Sequence, residues 1–229
     1  MSADAHKREA ANAAVGRFVG SGATVGLGSG TTSAFVVRRI GELLAAGELA
    51  GISGIPTSEG TAALAREVGI PLLSLAQARP TLTLDGADEI GPDLIAIKGL
   101  GGALLREKIV AAASTMGLVL VADASKAVDS LGTRAPVPVE VDPFGWESTL
   151  DALSALGCDP RLRMGSDPQH PFVTDGGHYT ADCSFDAIED PAALEAAIKA
   201  IPGALECGLF VGLARAAVIA GENETRITE

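Results

Sequence analysis

The stretch TVGLGSGTTSAFVVRRI, residues 24–40, decides the fold class of this chain. It opens with a short apolar run that closes in Gly-Ser-Gly, which is typical of a strand entering a loop. From Thr31 to about Ala46 the apolar residues recur at helical spacing. A strand, a glycine loop and a helix in this order predict one unit of an α/β sheet.

The same rhythm continues outward from this stretch. Helices are predicted over 6–20, 58–69 and 103–116. Strands are predicted at GISGIP (51–56), PLLSL (71–75), TLTLD (81–85), LIAIK (94–98) and LVLVA (118–122). Near-continuous apolar runs that alternate with helices indicate a parallel sheet covered on both faces. Functional loops then belong at the carboxyl ends of the strands.

The rhythm changes after about residue 130. The next segments are VPVEV (137–141), a helix near 145–156, RLRM (161–164), PFVT with HYTADCSF (171–185), a helix near 191–200 and ALECGLF (204–210). This β-α-β-β-α-β order is that of a ferredoxin-like unit. The run ARAAVIAG (214–221) is predicted to return to the first sheet as its last strand. We therefore predict a large domain of residues 1–130 plus about 210–229, and a small α+β domain of about 131–209.

Composition excludes several classes of function. The net charge is −12 and aromatic residues make up 3%, so neither a phosphate-backbone binder nor a base-stacking platform is expected. Any anionic ligand must be held by a local site. Three cysteines without a C-x-x-C pair indicate a reducing compartment. With no membrane-spanning run, we expect a soluble cytoplasmic protein with neither nucleic-acid nor membrane partners.

The loop after the first strand is the first candidate site. A dinucleotide motif fails because Thr31 occupies the third glycine position, and no Gly-Lys-Ser/Thr follows for a Walker A loop. The small donors Ser29, Gly30, Thr31 and Thr32 suit a terminal phosphate at a helix N-terminus. A glycine turn that merely caps the helix would give the same pattern.

Acidic residues follow the strand that ends at Asp85. Asp85, Asp88 and Glu89 stand where catalytic carboxylates often lie. The two aspartates are spaced three apart, whereas haloacid-dehalogenase-type phosphotransferases space theirs by two. An Asp-Gly turn capped by Asp88 or Glu89 would explain the pattern equally well. Nothing in the spacing requires a metal.

Three charges, Arg106, Glu107 and Lys108, open an otherwise apolar helix. The helix dipole favours a first-turn glutamate but disfavours the two cations, so we expect these beside carboxylates or an anionic ligand. The stripe of Leu105, Ile109, Ala112, Ala113 and Met116, with apolar residues on most other sides, predicts a helix buried nearly all round. Asp123 and Lys126 follow the next apolar run. The three histidines lie outside these loops and are expected at the surface.

Taken together, these loops resemble type A ribose-5-phosphate isomerases. The matching segments are VGLGSGTT (25–32), DGADEI (85–90), KGLGGALLREK (98–108), VADASK (121–126), VPVEV (137–141), TDGGHYTADCSF (174–185) and IPGALECGLF (201–210). They cover nearly the whole chain in order. The chain has GSGTT where the family commonly has GTGST, Leu100 where a glycine or polar residue is frequent, and Cys207 where asparagine is often found.

The resemblance implies an α/β fold, a Rossmann-like domain with a smaller ferredoxin-like α+β domain, usually in homodimers or homotetramers. It implies interconversion of ribose 5-phosphate and ribulose 5-phosphate in the non-oxidative pentose phosphate pathway, with no cofactor and no metal. The carboxylate base falls on Glu107. The substrate-binding positions fall on Ser29, Gly30, Thr31, Thr32, Asp85, Gly86, Ala87, Asp88, Lys98, Gly99, Leu100, Gly101 and Lys126, with Lys7 as a further phosphate ligand.

The chemistry of an aldose–ketose isomerase agrees with this residue set. One carboxylate can move a proton between C1 and C2, and the enediolate needs cationic or N–H donors. Lys98 and the backbone N–H groups of 99–102 are the candidates for that role. Asp85 is the candidate acid/base for ring opening, with Asp88 orienting hydroxyls. Two alternatives are a non-catalytic sugar-phosphate-binding regulatory domain and a relative of the CoA-transferases or sugar-phosphate deaminases.

Overall fold

The computed structural model describes residues 2–229. The α-helices are α1 (Ala3–Phe18), α2 (Thr31–Ala45), α3 (Glu59–Glu67), α4 (Leu104–Ala113), α5 (Trp146–Ser154) and α6 (Pro191–Lys199). The strands are β1 (Thr24–Leu27), β2 (Ser53–Pro56), β3 (Leu82–Asp85), β4 (Glu89–Ile90), β5 (Ala96–Ile97), β6 (Leu118–Asp123), β7 (Val137–Val141), β8 (Asp159–Leu162), β9 (Tyr179–Ser184), β10 (Ala204–Cys207), β11 (Leu209–Phe210), β12 (Ala214–Ala220) and β13 (Thr225–Thr228). Short 3-10 helices lie at Pro92–Leu94 and Ala124–Lys126.

The chain divides into two compact units. The first comprises residues 1–87, 106–127 and 212–229, and the second comprises residues 88–105 and 128–211. Our expected boundaries differ from this division mainly at residues 88–105, which we had placed with the large domain. These residues carry β4 and β5, which pair with β11 in a small sheet of the second unit.

The first unit is built on a six-stranded sheet in the order β13-β12-β6-β3-β1-β2. All neighbours are parallel except β12 and β13, which confirms the predicted parallel sheet. Apart from the exposed edge strand β13, its strands are mainly buried and apolar, and α1, α2 and α3 contribute to the same core. Because β1 and β3 are neighbours with Leu27 opposite Leu84, the loops that follow these two strands lie side by side.

The second unit contains a four-stranded antiparallel sheet in the order β10-β7-β9-β8. With α5 after β7 and α6 after β9, this is the predicted ferredoxin-like arrangement. Val137, Val139 and Val141 of β7 face a core that also holds Leu153 of α5 and Ile198 of α6.

Several predicted strands differ from the structure. The segment LIAIK contributes only β5, which is antiparallel to both of its neighbours rather than part of the parallel sheet. PLLSL and PFVT form isolated bridges at Leu72 and Pro171 and no strand. A final antiparallel strand, β13, follows the last strand that the sequence predicted. Apolar stretches of this length do not by themselves distinguish a sheet strand from a packed loop.

Helix α4 is not buried on the side that the sequence suggested. Ile109 is 47% exposed and Met116, which lies beyond the helix end, is 46% exposed. The buried residues of the helix are Leu104, Glu107, Lys108, Val110 and Ala111. A helix that is apolar nearly all round has no unique inward face in its sequence.

Within residues 2–229, no helix combines the length and the apolar character that crossing a bilayer would require.

Candidate active site

Asp85 organises the loop between β1 and α2. It is fully buried at the end of β3, and its Oδ1 accepts hydrogen bonds from the Ser29 N–H at 3.0 Å, the Gly86 N–H at 2.8 Å and the Ser33 hydroxyl at 2.8 Å. The Ser33 hydroxyl also accepts from the Gly86 N–H at 3.0 Å. One carboxylate oxygen therefore ties the loop after β1 to the loop after β3.

Two glycines make this arrangement possible. A Cβ on Gly28 would lie 2.0 Å from Asp85 Oδ1, so no side chain fits between the loop and the carboxylate. Gly30 has φ 91° and precedes the first residue of α2, Thr31. The first amides of a helix have no partner within the helix and carry a partial positive charge. The loop thus ends at a helix N-terminus of the kind that suits an anion, and Asp85 holds the loop in place.

The Ser29 hydroxyl contacts a cluster of hydroxyl groups at the start of α3. Ser29 Oγ lies 2.8 Å from Thr57 Oγ1, 2.7 Å from Ser58 Oγ and 3.2 Å from Thr61 Oγ1. Thr61 in turn donates to the Gly28 carbonyl at 2.9 Å. This cluster was not among the predicted site residues, although Thr-Ser-x-x-Thr before a helix is a capping pattern, and Ser58 caps α3 through the Thr61 N–H.

Lys7 reaches the same helix terminus from α1. Its ammonium group lies 3.3 Å from Thr31 Oγ1 and 3.4 Å from Asp4 Oδ1. The side chain is 18% exposed, whereas Thr31 itself is exposed. The structure therefore brings together a cation, a helix N-terminus and small hydroxyl groups. This is the set that a phosphate group requires.

Glu107 lies in the first turn of α4 and is 3% exposed. Its neighbours in sequence differ from it. Arg106 donates to Glu59 at 3.0 Å in an exposed ion pair, which agrees with the expected carboxylate partner, and Lys108 is buried. A buried carboxylate at a helix start, where the dipole favours its charge, has the character of a functional group more than of a solvated cap.

Lys126 ends the 3-10 helix that follows β6 and is half-buried. Asp123 caps that helix by accepting from the Ser125 N–H at 2.9 Å. Because β6 is the parallel neighbour of β3, with Leu120 opposite Asp85, Lys126 lies beyond the same carboxyl edge of the sheet. Asp123 thus has a structural task and Lys126 remains the candidate ligand.

The second unit holds the other predicted residues, Asp88 before β4 and the loop that begins at Lys98 after β5. Lys98 is 2% exposed, its N–H donates to the Gly208 carbonyl at 2.9 Å, and its ammonium group lies 5.3 Å from the centre of the Phe210 ring. Asp88 Oδ2 accepts from the Leu100 N–H at 3.0 Å. Asp88 therefore holds the loop that begins at Lys98.

The 98–102 loop is built for close backbone approach. Gly99 has φ 106° and Gly102 has φ 81°, whereas Leu100 and Gly101 do not have positive φ. Leu100, which differs from the residue common in the family, therefore fits its position without strain, and its side chain is 42% exposed. The glycines that matter for the loop conformation are all present.

Glu89 has a structural role and is not a site residue. It is fully buried, and its carboxylate accepts from the backbone N–H groups of Gly132 at 2.7 Å, Arg134 at 2.6 Å and Ala135 at 2.7 Å. All its visible partners are amides of one loop of the second unit. Glu89 therefore does not cap the Asp-Gly turn, as one explanation proposed, but holds the 132–135 loop.

His178 differs from the surface role expected of it. Its Nδ1 lies 2.8 Å from Oε1 of Glu140, which is buried and also accepts from the Thr174 hydroxyl at 2.9 Å.

Among residues 2–229, one group of possible metal ligands has its ligand atoms within 4.8 Å of one another, and it consists of Glu195, Glu206 and Cys207. Lys199 places its ammonium group 3.1 Å from Glu206 Oε2, and none of the predicted site residues belongs to this group.

Comparison with known proteins agrees with these motifs. The model of the family ribose 5-phosphate isomerase A (phosphoriboisomerase A) matches residues 53–224. Ribose-5-phosphate isomerase A of Gloeobacter violaceus is 52% identical over 227 residues, covering 97% of this chain and 95% of its own. That of Roseiflexus castenholzii is also 52% identical, over 220 residues, covering 95% and 92%.

Solved structures give the same result. A D-ribose-5-phosphate isomerase in complex with phospho-erythronic acid superposes with a TM-score of 0.97 at 36% identity, covering all of both chains. The ribose 5-phosphate isomerase of Plasmodium falciparum has a TM-score of 0.94 at 36% identity, covering 99% of this chain and 98% of its own. The fold, the site loops and these relatives agree: the chain belongs to the ribose-5-phosphate isomerase A family.

Proposed function

We propose that this protein interconverts D-ribose 5-phosphate and D-ribulose 5-phosphate through a cis-enediolate, with Glu107 as the general base. The observation that carries the proposal is that the first unit contains two features together. One is a buried first-turn carboxylate on α4, and the other is a helix N-terminus on α2 that suits an anion. Family membership and the phospho-erythronic acid bound by a relative support the substrate class.

The phosphate group of the substrate would bind at the start of α2. Thr31 and Thr32 supply hydroxyl groups and first-turn amides, and Lys7 adds a positive charge beside Thr31. The protein as a whole has a net charge of −12, so this local positive site must overcome the general repulsion of an anion. Charge-assisted hydrogen bonds are about twice as strong as neutral ones, which suits that requirement.

The reacting carbons would be handled by Glu107. In the aldose-to-ketose direction its carboxylate takes the proton from C2 and returns it to C1, while a hydroxyl proton moves between the two oxygens. The enediolate carries negative charge on oxygen, and donors that already point at that oxygen stabilise it without reorganisation. We assign this task to Lys98 and to the N–H groups of Gly99 and Gly101, since that of Leu100 donates to Asp88.

Ring opening would involve the two aspartates. Asp85 is buried at the end of β3, where its Oδ1 accepts from three donors, and we assign its carboxyl group the acid/base role in ring opening. Asp88 uses Oδ2 to hold the Leu100 N–H, which agrees with an orienting task. Gly86 and Ala87 join the two aspartates and offer backbone contacts to the sugar.

The decisive test replaces Glu107 with glutamine, which preserves size and removes the basic oxygen. We expect kcat to fall by about 10²–10⁴-fold, with the inhibition constant of phospho-erythronic acid changed far less. Glu147→Gln is the matched control because Glu147 is also the first-turn acid of a helix, α5, and is exposed. The assay follows ribulose 5-phosphate formation spectrophotometrically, with and without a chelator.

Three results would count against the proposal. Near-normal turnover by Glu107→Gln would remove this residue from the base role. A folded wild-type protein that binds phospho-erythronic acid but does not convert ribose 5-phosphate would favour the regulatory sugar-phosphate-binding alternative. Loss of turnover with chelator would require a metal, which the proposed chemistry does not use.

We also propose that the protein works in the cytoplasm as a homodimer or homotetramer. Free thiols at Cys158, Cys183 and Cys207 agree with a reducing compartment. Light scattering of the purified protein measures the number of subunits, and a monomeric mass at working concentration would contradict the assembly.

A further inference from the structure

Arg163 connects the small-unit sheet to the 98–102 loop. It directly follows β8, and its Nε donates to Asp182 Oδ2 of β9 at 2.9 Å while its Nη2 donates to Asp182 Oδ1. The side chain of Arg163 is 14% exposed and that of Asp182 24%. A guanidinium held by both oxygens of one carboxylate has a defined plane and direction.

The remaining arm of this guanidinium holds two consecutive carbonyl groups. Nη1 donates to the Gly99 carbonyl at 3.1 Å and to the Leu100 carbonyl at 3.0 Å. The guanidinium carbon lies 5.8 Å from the centre of the Phe172 ring. A Cβ on Gly102 would lie 2.4 Å from Cζ of that ring, so arginine, aromatic ring and glycine loop are fitted to one another.

This contact determines where two amide groups of the loop point. In a trans peptide the N–H lies opposite the C=O, and no peptide bond among the described residues 2–229 is cis. The Gly99 carbonyl shares its peptide with the Leu100 N–H, which donates to Asp88. The Leu100 carbonyl shares its peptide with the Gly101 N–H, which is therefore turned to the side away from Arg163.

We propose that Arg163 is a positioning residue that aims the Gly101 N–H at the enediolate oxygen. The inference rests on the proposed isomerase function, since it assigns a task to the loop of that same site. Arg163 itself does not touch the substrate in this scheme. It acts through the backbone, and Asp182 acts through Arg163. Displacement of a reacting group by about 1 Å can lower a rate about 100-fold. Loss of the contact between Arg163 and the two carbonyls can therefore lower kcat substantially.

The test compares Arg163→Lys with Arg161→Lys. A lysine keeps the charge but has no fork to hold Asp182 and two carbonyls at once. Arg161 lies on β8 two positions earlier, is 80% exposed and pairs with Asp159 in a similar manner. We expect Arg163→Lys to lower kcat about 10- to 100-fold and to weaken the binding of phospho-erythronic acid. The inhibition constant of inorganic phosphate should stay at its wild-type value in this variant. All constants of Arg161→Lys should stay at wild-type values.

Asp182→Asn provides a second variant if Arg163→Lys folds poorly. It keeps the shape and one acceptor oxygen, so the guanidinium loosens without a change in any group that contacts the substrate. We expect a smaller fall in kcat in the same direction, with the phosphate constant again unchanged.

Three outcomes separate this inference from the proposed function. An inactive wild-type protein would overturn the function itself. Active wild type together with wild-type kcat in both Arg163→Lys and Asp182→Asn would overturn the positioning role alone. A parallel loss of kcat, phospho-erythronic acid affinity and phosphate affinity would indicate a general structural role and would also overturn it.

Discussion

Replacement of Asp85 with alanine tests whether one buried oxygen organises the phosphate loop. The three donors to Oδ1 are the Ser29 N–H, the Gly86 N–H and the Ser33 hydroxyl. A hydrogen bond to a charged group contributes about 1.5–3 kcal/mol. Three of them give about 4.5 kcal/mol at the lower end of that range.

Two relaxations reduce this sum. The Gly86 N–H keeps the Ser33 hydroxyl as a partner, and the buried charge no longer has to be desolvated. The Ser29 N–H loses its carboxylate partner within the folded loop. We therefore expect Asp85→Ala to lower the free energy of unfolding by about 3–4 kcal/mol. Asp85→Asn retains an acceptor oxygen, so its loss should be about 1–2 kcal/mol.

Urea unfolding followed by circular dichroism measures these differences. Asp142→Ala is the matched control, since Asp142 lies at the end of a strand, directly after β7, but accepts from the single N–H of Phe144 at 2.8 Å. The inhibition constant of inorganic phosphate, measured in native conditions, reports the loop itself and should rise for both Asp85 variants and not for the control.

An Asp85→Ala protein as stable as the control would contradict the role of Asp85 in supporting the loop after β1. If its free energy of unfolding matched that of the Asp142→Ala control, the three hydrogen bonds would not support the loop. If stability fell as expected but the affinity for phosphate stayed at the wild-type value, Asp85 would stabilise the fold without shaping the anion site.

The remaining predictions concern single contacts. Glu89→Ala should lower the free energy of unfolding by about 3–5 kcal/mol, by urea unfolding, with phosphate affinity unchanged, since its three amide partners lie at 132–135. Arg106→Gln should cost less than about 1 kcal/mol in the same assay because its ion pair is exposed. The hydrogen bond between the Cys158 and Cys183 thiols lowers the pKa of Cys158 and raises that of Cys183. Mass spectrometry of maleimide-treated native protein should therefore find Cys158 labelled first, increasingly as pH rises.

The sequence predicted the parts of the fold whose signals are local. The stretch 24–40 contains its strand, its glycine loop and the start of its helix, and each appears where its residues indicate. The β-α-β-β-α-β order was equally readable because each element has its own apolar period. Short apolar runs were predicted less well. LIAIK resembles a core strand, yet its neighbours come from distant segments that reverse the direction of pairing.

The acidic cluster at 85–89 shows why pattern alone could not separate functional from structural residues. Asp85 and Glu89 are both fully buried, and each accepts three hydrogen bonds. The donors to Asp85 include those of the 29–33 loop, whereas those to Glu89 come from the 132–135 loop. The difference between a candidate site residue and a turn support thus lies in partners some 40 to 56 positions away.

The basic residues lead to the same conclusion from the opposite direction. Arg106 drew attention because it opens an apolar helix beside Glu107, yet it forms an exposed pair with Glu59. Arg163 lies in an unremarkable strand segment, RLRM, next to an arginine two positions away that is 80% exposed. What distinguishes Arg163 is the position of the Gly99 and Leu100 carbonyls, which tertiary structure alone supplies. Residues that touch a substrate must have a particular chemistry and so leave a motif. Residues that aim the backbone need only a partner at the right distance, and they become visible when the chain is folded.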